Sequence, residues 1–141
     1  MRTLLTLLLL IPGLSWGNNM KFLLCYEDLD ELKSIGLKLN TNTKLFTSYH
    51  IKNADGENFL NSYTSSNNRY NESADYLKLK TESFFGYRTW GVNRKDLTWG
   101  EIPNGLVRPL NQGKCKLIDS EQDLINGLET IIEDNTKRNK I

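Results

Sequence analysis

The chain has 141 residues, with 18 basic and 17 acidic side chains, one histidine and two cysteines. That length supports one hydrophobic core and is too short for two. The near balance of charge removes any general attraction to nucleic acid or anionic lipid.

The chain opens MRTLLTLLLLIPGLSWG: one cation, Arg2, an apolar run from Leu4 to Ile11, a Pro12–Gly13 break and then Ser15-Trp16-Gly17. Small residues three before and immediately before a cut after Gly17 make residues 1–17 a secretory signal peptide. The apolar run is well short of the ~20 residues a spanning helix needs, and Pro12 interrupts it. Cys25 lies beyond this region and follows Leu24, which argues against a lipoprotein. Arg2 leaves with the leader, so 17 basic groups face 17 acidic ones in the exported chain. No second long apolar segment follows, and no membrane span is expected after cleavage. The expected location is the periplasm or the extracellular space.

Residues 18–119 read as one antiparallel β domain. "MKFLLCYED" alternates Phe22, Leu24 and Tyr26 against Leu23 and Cys25, as a strand does. "EDLDELKSIG" fits either a short helix ended by Gly36 or a polar connection, with the balance towards the connection. "GLKLNTNTKLFTSYHI" is a hairpin, because Leu37 and Leu39 alternate, Asn40–Thr43 supplies turn chemistry, and Leu45, Thr47, Tyr49 and Ile51 resume the period of two. Residues 53–75, rich in Asn, Ser, Asp and Gly, read as a long mobile loop with a short ordered piece at Phe59–Tyr63.

Alternation returns in "DYLKLKTES", and a further strand runs from Phe84 to Val92. Gly86 and Gly91 mark bulges or close approaches of other groups. "NRKD" is a four-residue turn and "LTWGEI" returns antiparallel to it. After the break at Pro103–Gly105, "GKCKLI" is the last strand. From Ser120 the period changes: Leu124, Ile125, Leu128, Ile131 and Ile132 share one helical face. Ser120 with Asp123 resembles a capping box. The helix is expected over 120–135, with 136–141 frayed. The fold expected is mainly β: a curved sheet or partial barrel of six to seven strands with a C-terminal amphipathic helix.

Cys25 and Cys115 are ninety positions apart. In an exported chain an even pair favours a disulfide. Closing so long a loop disfavours the unfolded chain by about 4–5 kcal/mol in the chain-entropy model. Two thiols and one histidine make a poor zinc set. No metal or other cofactor is expected.

A search for chemistry finds little. His50 lies opposite Tyr49 and Ile51 on its strand, outward if they face the core, and reads as a solvated surface residue with no base's partner. G-x-S-x-G, H-E-x-x-H, phosphate-loop and EF-hand patterns are absent from the sequence. The clusters Glu27, Asp28, Asp30, Glu31 and Asp55, Glu57 lack calcium-loop spacing and read as a charged connection and a turn. Asn71-Glu72-Ser73 is a glycosylation sequon that occurs commonly by chance.

The stretch "TWGVNRKDLTW" carries the one candidate contact surface. Tyr87, Trp90 and Trp99, with Arg94 and Lys95 at the turn, form an aromatic and cationic set that suits a sugar ring or an anionic polymer. The competing and favoured reading is a hairpin whose tryptophans pair across strands or enter the core.

The cysteine in the first strand, the hairpin around "LNTNTKLF", the pattern W-x-x-N-R-K-x-L-T and the final "CKLI" together resemble small exported proteins of marine bacteria. The resemblance spans about residues 20–118. It implies a periplasmic β-sheet protein and carries no catalytic residues. The 53–75 segment and the C-terminal helix depart from it. A non-enzymatic binding or inhibitor module, with a periplasmic protein or a carbohydrate as partner, is the expected function. The alternatives are an envelope assembly protein docking through its helix, and a small hydrolase.

Overall fold

Apolar and polar residues alternate with a period of two in much of the chain, and eight strands form among the described residues. The computed structural model describes residues 19–83, 86–106 and 108–139; the expected leader lies outside these residues. The strands are β1 Met20–Cys25, β2 Ile35–Asn40, β3 Leu45–Ala54, β4 Glu57–Glu72, β5 Tyr76–Ser83, β6 Gly86–Asn93, β7 Thr98–Glu101 and β8 Gly113–Ile118, followed by helix α1, Glu121–Arg138. Each strand pairs antiparallel with the next, and β8 pairs back onto β1. The sheet is therefore a closed barrel of eight strands, not an open or partial one of six or seven.

The extra strand comes from residues 57–72, which composition assigns to a loop. They form β4, whose first half pairs with β3 (Ala54↔Glu57 to Thr47↔Thr64) and whose second half pairs with β5 (Arg69↔Lys80 to Glu72↔Leu77). Asp55 and Gly56 both have positive φ, 54° and 81°, which is the turn that closes a two-residue hairpin. Two other turns share one device. The side chains of Asn40 and Asn93 each accept hydrogen bonds from the backbone two and three residues on. The turns then close through Lys44 and Leu97, both at positive φ.

The connection 26–34 contains a single 3-10 turn, Glu31–Lys33, capped by Asp30. Gly36 belongs to β2 and ends no helix. Cys25 and Cys115 lie directly opposite each other in the β1–β8 register and form the expected disulfide, which clamps the seam of the barrel.

Side chains alternate between the barrel interior and its outer face. The interior holds Leu23, Cys25, Ile35, Leu37, Leu39, Phe46, Tyr70, Leu79, Val92 and Trp99. On the outside, Leu24 and Tyr49 pack under Leu124, Leu128 and Ile131 of α1, with Ile51 and Leu60 alongside. The Ser120 side chain caps α1 by accepting from the Asp123 N–H at 3.1 Å. The helix runs three residues beyond the expected 135. It is tied down by Lys38–Glu121 at 2.5 Å and by an Arg138–Glu31 ion pair. Gly36 permits the close approach: a Cβ there would lie 2.9 Å from Leu128 Cδ1 and 3.1 Å from Leu124 Cδ1.

Candidate functional site

The turns β2–β3, β4–β5 and β6–β7 lie at one end of the barrel, where Leu39, Phe46, Tyr70, Leu79 and Val92 fill the interior. Towards the other end the inward positions change character. Along β3 they read Phe46, Ser48, His50, Lys52; along β6, Val92, Trp90, Arg88; along β7, Trp99, Glu101; along β5, Leu79, Thr81. Polar side chains do not close this half of the barrel. They line a cup of about 720 Å³, with Tyr63, Asn68, Gln112 and residues 32–35 completing the wall. On the cup side the β4–β5 pairs given by the described residues begin at Arg69↔Lys80.

His50 stands at the centre of the wall, and its place corrects the outward assignment. Tyr49 and Ile51 do face apolar neighbours, but these lie outside the barrel, under α1. The opposite face of β3 is therefore the interior. His50 Nε2 is hydrogen-bonded to Ser48 Oγ at 3.0 Å. Its ring lies 5.5 Å from Tyr63, edge to face, and 6.2 Å from Trp90. Burial, and then the nearby Lys52 and Arg88 cations, push its pKa down to about 4. The imidazole is neutral at pH 7 and serves as a hydrogen-bonding group, not a charge.

Arg88 and Glu101 form an ion pair at 3.2 Å, and the Arg88 guanidinium lies 5.4 Å from the Trp90 ring. Lys52 Nζ lies 5.5 Å from the Tyr63 ring. The Glu101 N–H donates to Gln112 Oε1 at 2.6 Å, which ties the segment before β8 to the wall. No family model, curated protein or solved structure matches the chain.

The five residues of the aromatic and cationic set are separated by this geometry. Trp90 is half-buried and lines the cup. Trp99 forms part of its floor, only 3% exposed, with Nε1–H donating to the Tyr26 carbonyl at 2.7 Å. Trp90 lies opposite Glu101 and Trp99 opposite Val92, so the two tryptophans are diagonal, not facing. Tyr87 is on the outer face, 60% exposed, with Lys80 Nζ 4.1 Å from its ring. Arg94 and Lys95 sit on the β6–β7 turn at the filled end, where Arg94 Nη1 donates to the Ser73 carbonyl at 2.6 Å. A single surface made of all five does not form.

Sequence reasoning missed Ser48, Lys52, Tyr63, Asn68, Arg88, Glu101 and Gln112. A signal for several of them was present: the inward phase of four strands turns from apolar to polar in the same direction along the barrel axis. Reading it requires knowing which phase points inward. Among the described residues no helix is long and apolar enough to cross a membrane, and no three His, Cys, Asp or Glu side chains group as metal ligands.

Proposed function

We propose that the protein is an exported, non-catalytic binding module that holds a small polar ligand, a carbohydrate by class, in the open half of its barrel. One observation carries this reading. An eight-stranded barrel is narrow enough for side chains to fill its interior, or wide enough to hold one small ligand. Here half the interior is packed and half is a polar cup of about 720 Å³, within the size range of ligand sites. Its amides, hydroxyls and ring surfaces match the groups a sugar presents.

Two further features support binding over the alternatives. Among the described residues the nucleophile–base pair in the cup is Ser48 with His50; its serine is only 1% exposed, and no carboxylate of the described residues is hydrogen-bonded to the imidazole to act as the orienting third member of a working triad. The apolar face of α1 is buried on the barrel, which leaves the helix-docking reading without its surface. The disulfide agrees with an oxidising compartment.

The test is native mass spectrometry of the exported chain after exposure to fractionated small molecules of an envelope extract, beside a Thr81→Trp variant that fills the cup. A molecule retained by the natural chain and lost from the variant supports the reading. Equal retention by both, or none by either, overturns it.

A further inference from the structure

The chain is balanced in charge as a whole, but the cup is not. Its wall carries Lys33, Lys52 and Arg88 against one carboxylate, Glu101. Glu101 is engaged by Arg88, and no carboxylate of the described residues lies within ion-pair distance of Lys33 or Lys52. Low-dielectric walls concentrate such a field inside a cleft. The uncharged part of the wall points elsewhere. Asn68, Gln112, Thr81 and Ser65 supply amides and hydroxyls, and ring surface comes from Trp90 and from Tyr63, which is 44% exposed.

Resting on the reading of the cup as a ligand site, we infer that its ligand is a carboxylated sugar, a uronic acid residue at the end of or within a short saccharide. Three demands are then met together. The carboxylate lies against Lys52 and Arg88, a charge-assisted contact that a neutral sugar does not offer. The hydroxyls meet the amides and hydroxyls, which a plain aromatic acid leaves without partners at a desolvation cost. The apolar C–H face of the pyranose meets Trp90 or Tyr63. Rim cations also steer an anion into the cup, so the association rate should fall as salt is raised.

The experiment is calorimetric titration of the exported chain, with tryptophan fluorescence in parallel, using digalacturonate, neutral galactobiose and benzoate as probes. Digalacturonate is expected to bind at least about tenfold more tightly than either of the others, the factor expected for losing one charge-assisted hydrogen bond. Lys52→Gln should weaken digalacturonate about tenfold and weaken galactobiose by a clearly smaller factor. Lys116→Gln, on the outer face of β8, should alter neither. Galactobiose binding as tightly as digalacturonate overturns the charge requirement, and benzoate binding as tightly overturns the sugar requirement; in both cases the cup remains a binding site. No heat and no fluorescence change with any probe overturns the inference, and the extract experiment separately decides whether the cup binds anything.

Discussion

His50 Nε2 lies 3.0 Å from Ser48 Oγ, two residues back along β3 and on the same inward face of the barrel. Its other neighbours in the wall are the rings of Tyr63 and Trp90 and the cations Lys52 and Arg88. Each disfavours a proton on the imidazole by burial or by like charge, and none offers a compensating carboxylate contact. The uncharged state of this ring is therefore a property of folding, and it makes stability depend on pH.

The sign follows from the two pKa values. In the unfolded chain the imidazole titrates near 6.5, and in the folded chain at about 4. Between these values the unfolded state binds the extra proton, so the folded state loses stability as pH falls from 6.5 towards 4. Above 6.5 both states are neutral and His50 contributes no slope. The loss at the acid end is at most about 3 kcal/mol for a shift of this size. Urea unfolding at pH 7.0 and 4.5 measures it, and His50→Gln should remove most of the difference. An equal drop in the variant would assign the pH dependence to other groups.

The two tryptophans should separate in solution as they do in the barrel. Trp99 is buried and its indole N–H satisfies the Tyr26 carbonyl, so Trp99→Phe leaves that oxygen unpaired and should cost about 1–3 kcal/mol. Trp90 is half-buried on the cup wall. Trp90→Phe should leave the unfolding midpoint nearly unchanged while removing most of the acrylamide-quenchable fluorescence of a chain spanning residues 18–141. Strong quenching that survives Trp90→Phe would contradict this placement of the two rings.

These two residues also show how far the sequence could be read. The hairpin 37–51, the amphipathic tail and the disulfide were legible, because each rests on a local pattern or on a count of two cysteines. β4 was not. Its inward positions mix Phe59 and Tyr63 with Asn61, and its outward ones mix Leu60 with Ser62 and Thr64, so residues 57–68 lack the contrast between phases that marks a strand. The Asp55-Gly56 pair was a hairpin signal that the polar flanks concealed. His50 was misplaced for the opposite reason. β3 is buried on both faces, by the barrel interior and by α1, so finding the apolar phase does not reveal which side is inside. Arg94 and Lys95 are near the tryptophans in sequence, but four residues along a strand span roughly 13 Å, enough to carry them to the other end of the barrel.

The Cys25–Cys115 bond joins the first and last strands of a closed sheet, and its loss has a specific expected consequence. Double replacement by serine should lower stability by about 4–5 kcal/mol in the loop-entropy account, since the ends of the chain are then free in the unfolded state. The barrel should remain recognisable, because the β1–β8 ladder also runs through Phe22↔Ile118 to Leu24↔Lys116. The expected result is a lowered urea midpoint with native far-ultraviolet circular dichroism retained in the absence of denaturant. A midpoint unchanged from the disulfide-bonded chain would show that the bond does not constrain the unfolded state.

The contact between α1 and the outer face of the barrel depends on Gly36. Any Cβ at that position meets Leu128 at 2.9 Å, closer than non-bonded carbon atoms tolerate, and Leu124 at 3.1 Å, and both leucines are fully buried with little room to turn. Gly36→Val should push the helix outward and cost about 1–3 kcal/mol by overpacking. Leu124→Ala acts oppositely, by opening a cavity, and should cost about 2–5 kcal/mol. A chain ending at Ser120 exposes Leu24, Tyr49, Ile51 and Leu60 together, an apolar patch of the kind that binds hydrophobic dyes. It should therefore bind such a dye, and its thermal midpoint should fall below that of the chain that keeps α1. Wild-type stability in all three variants, with no dye bound by the truncated chain, would mean that the helix does not dock on the barrel in solution.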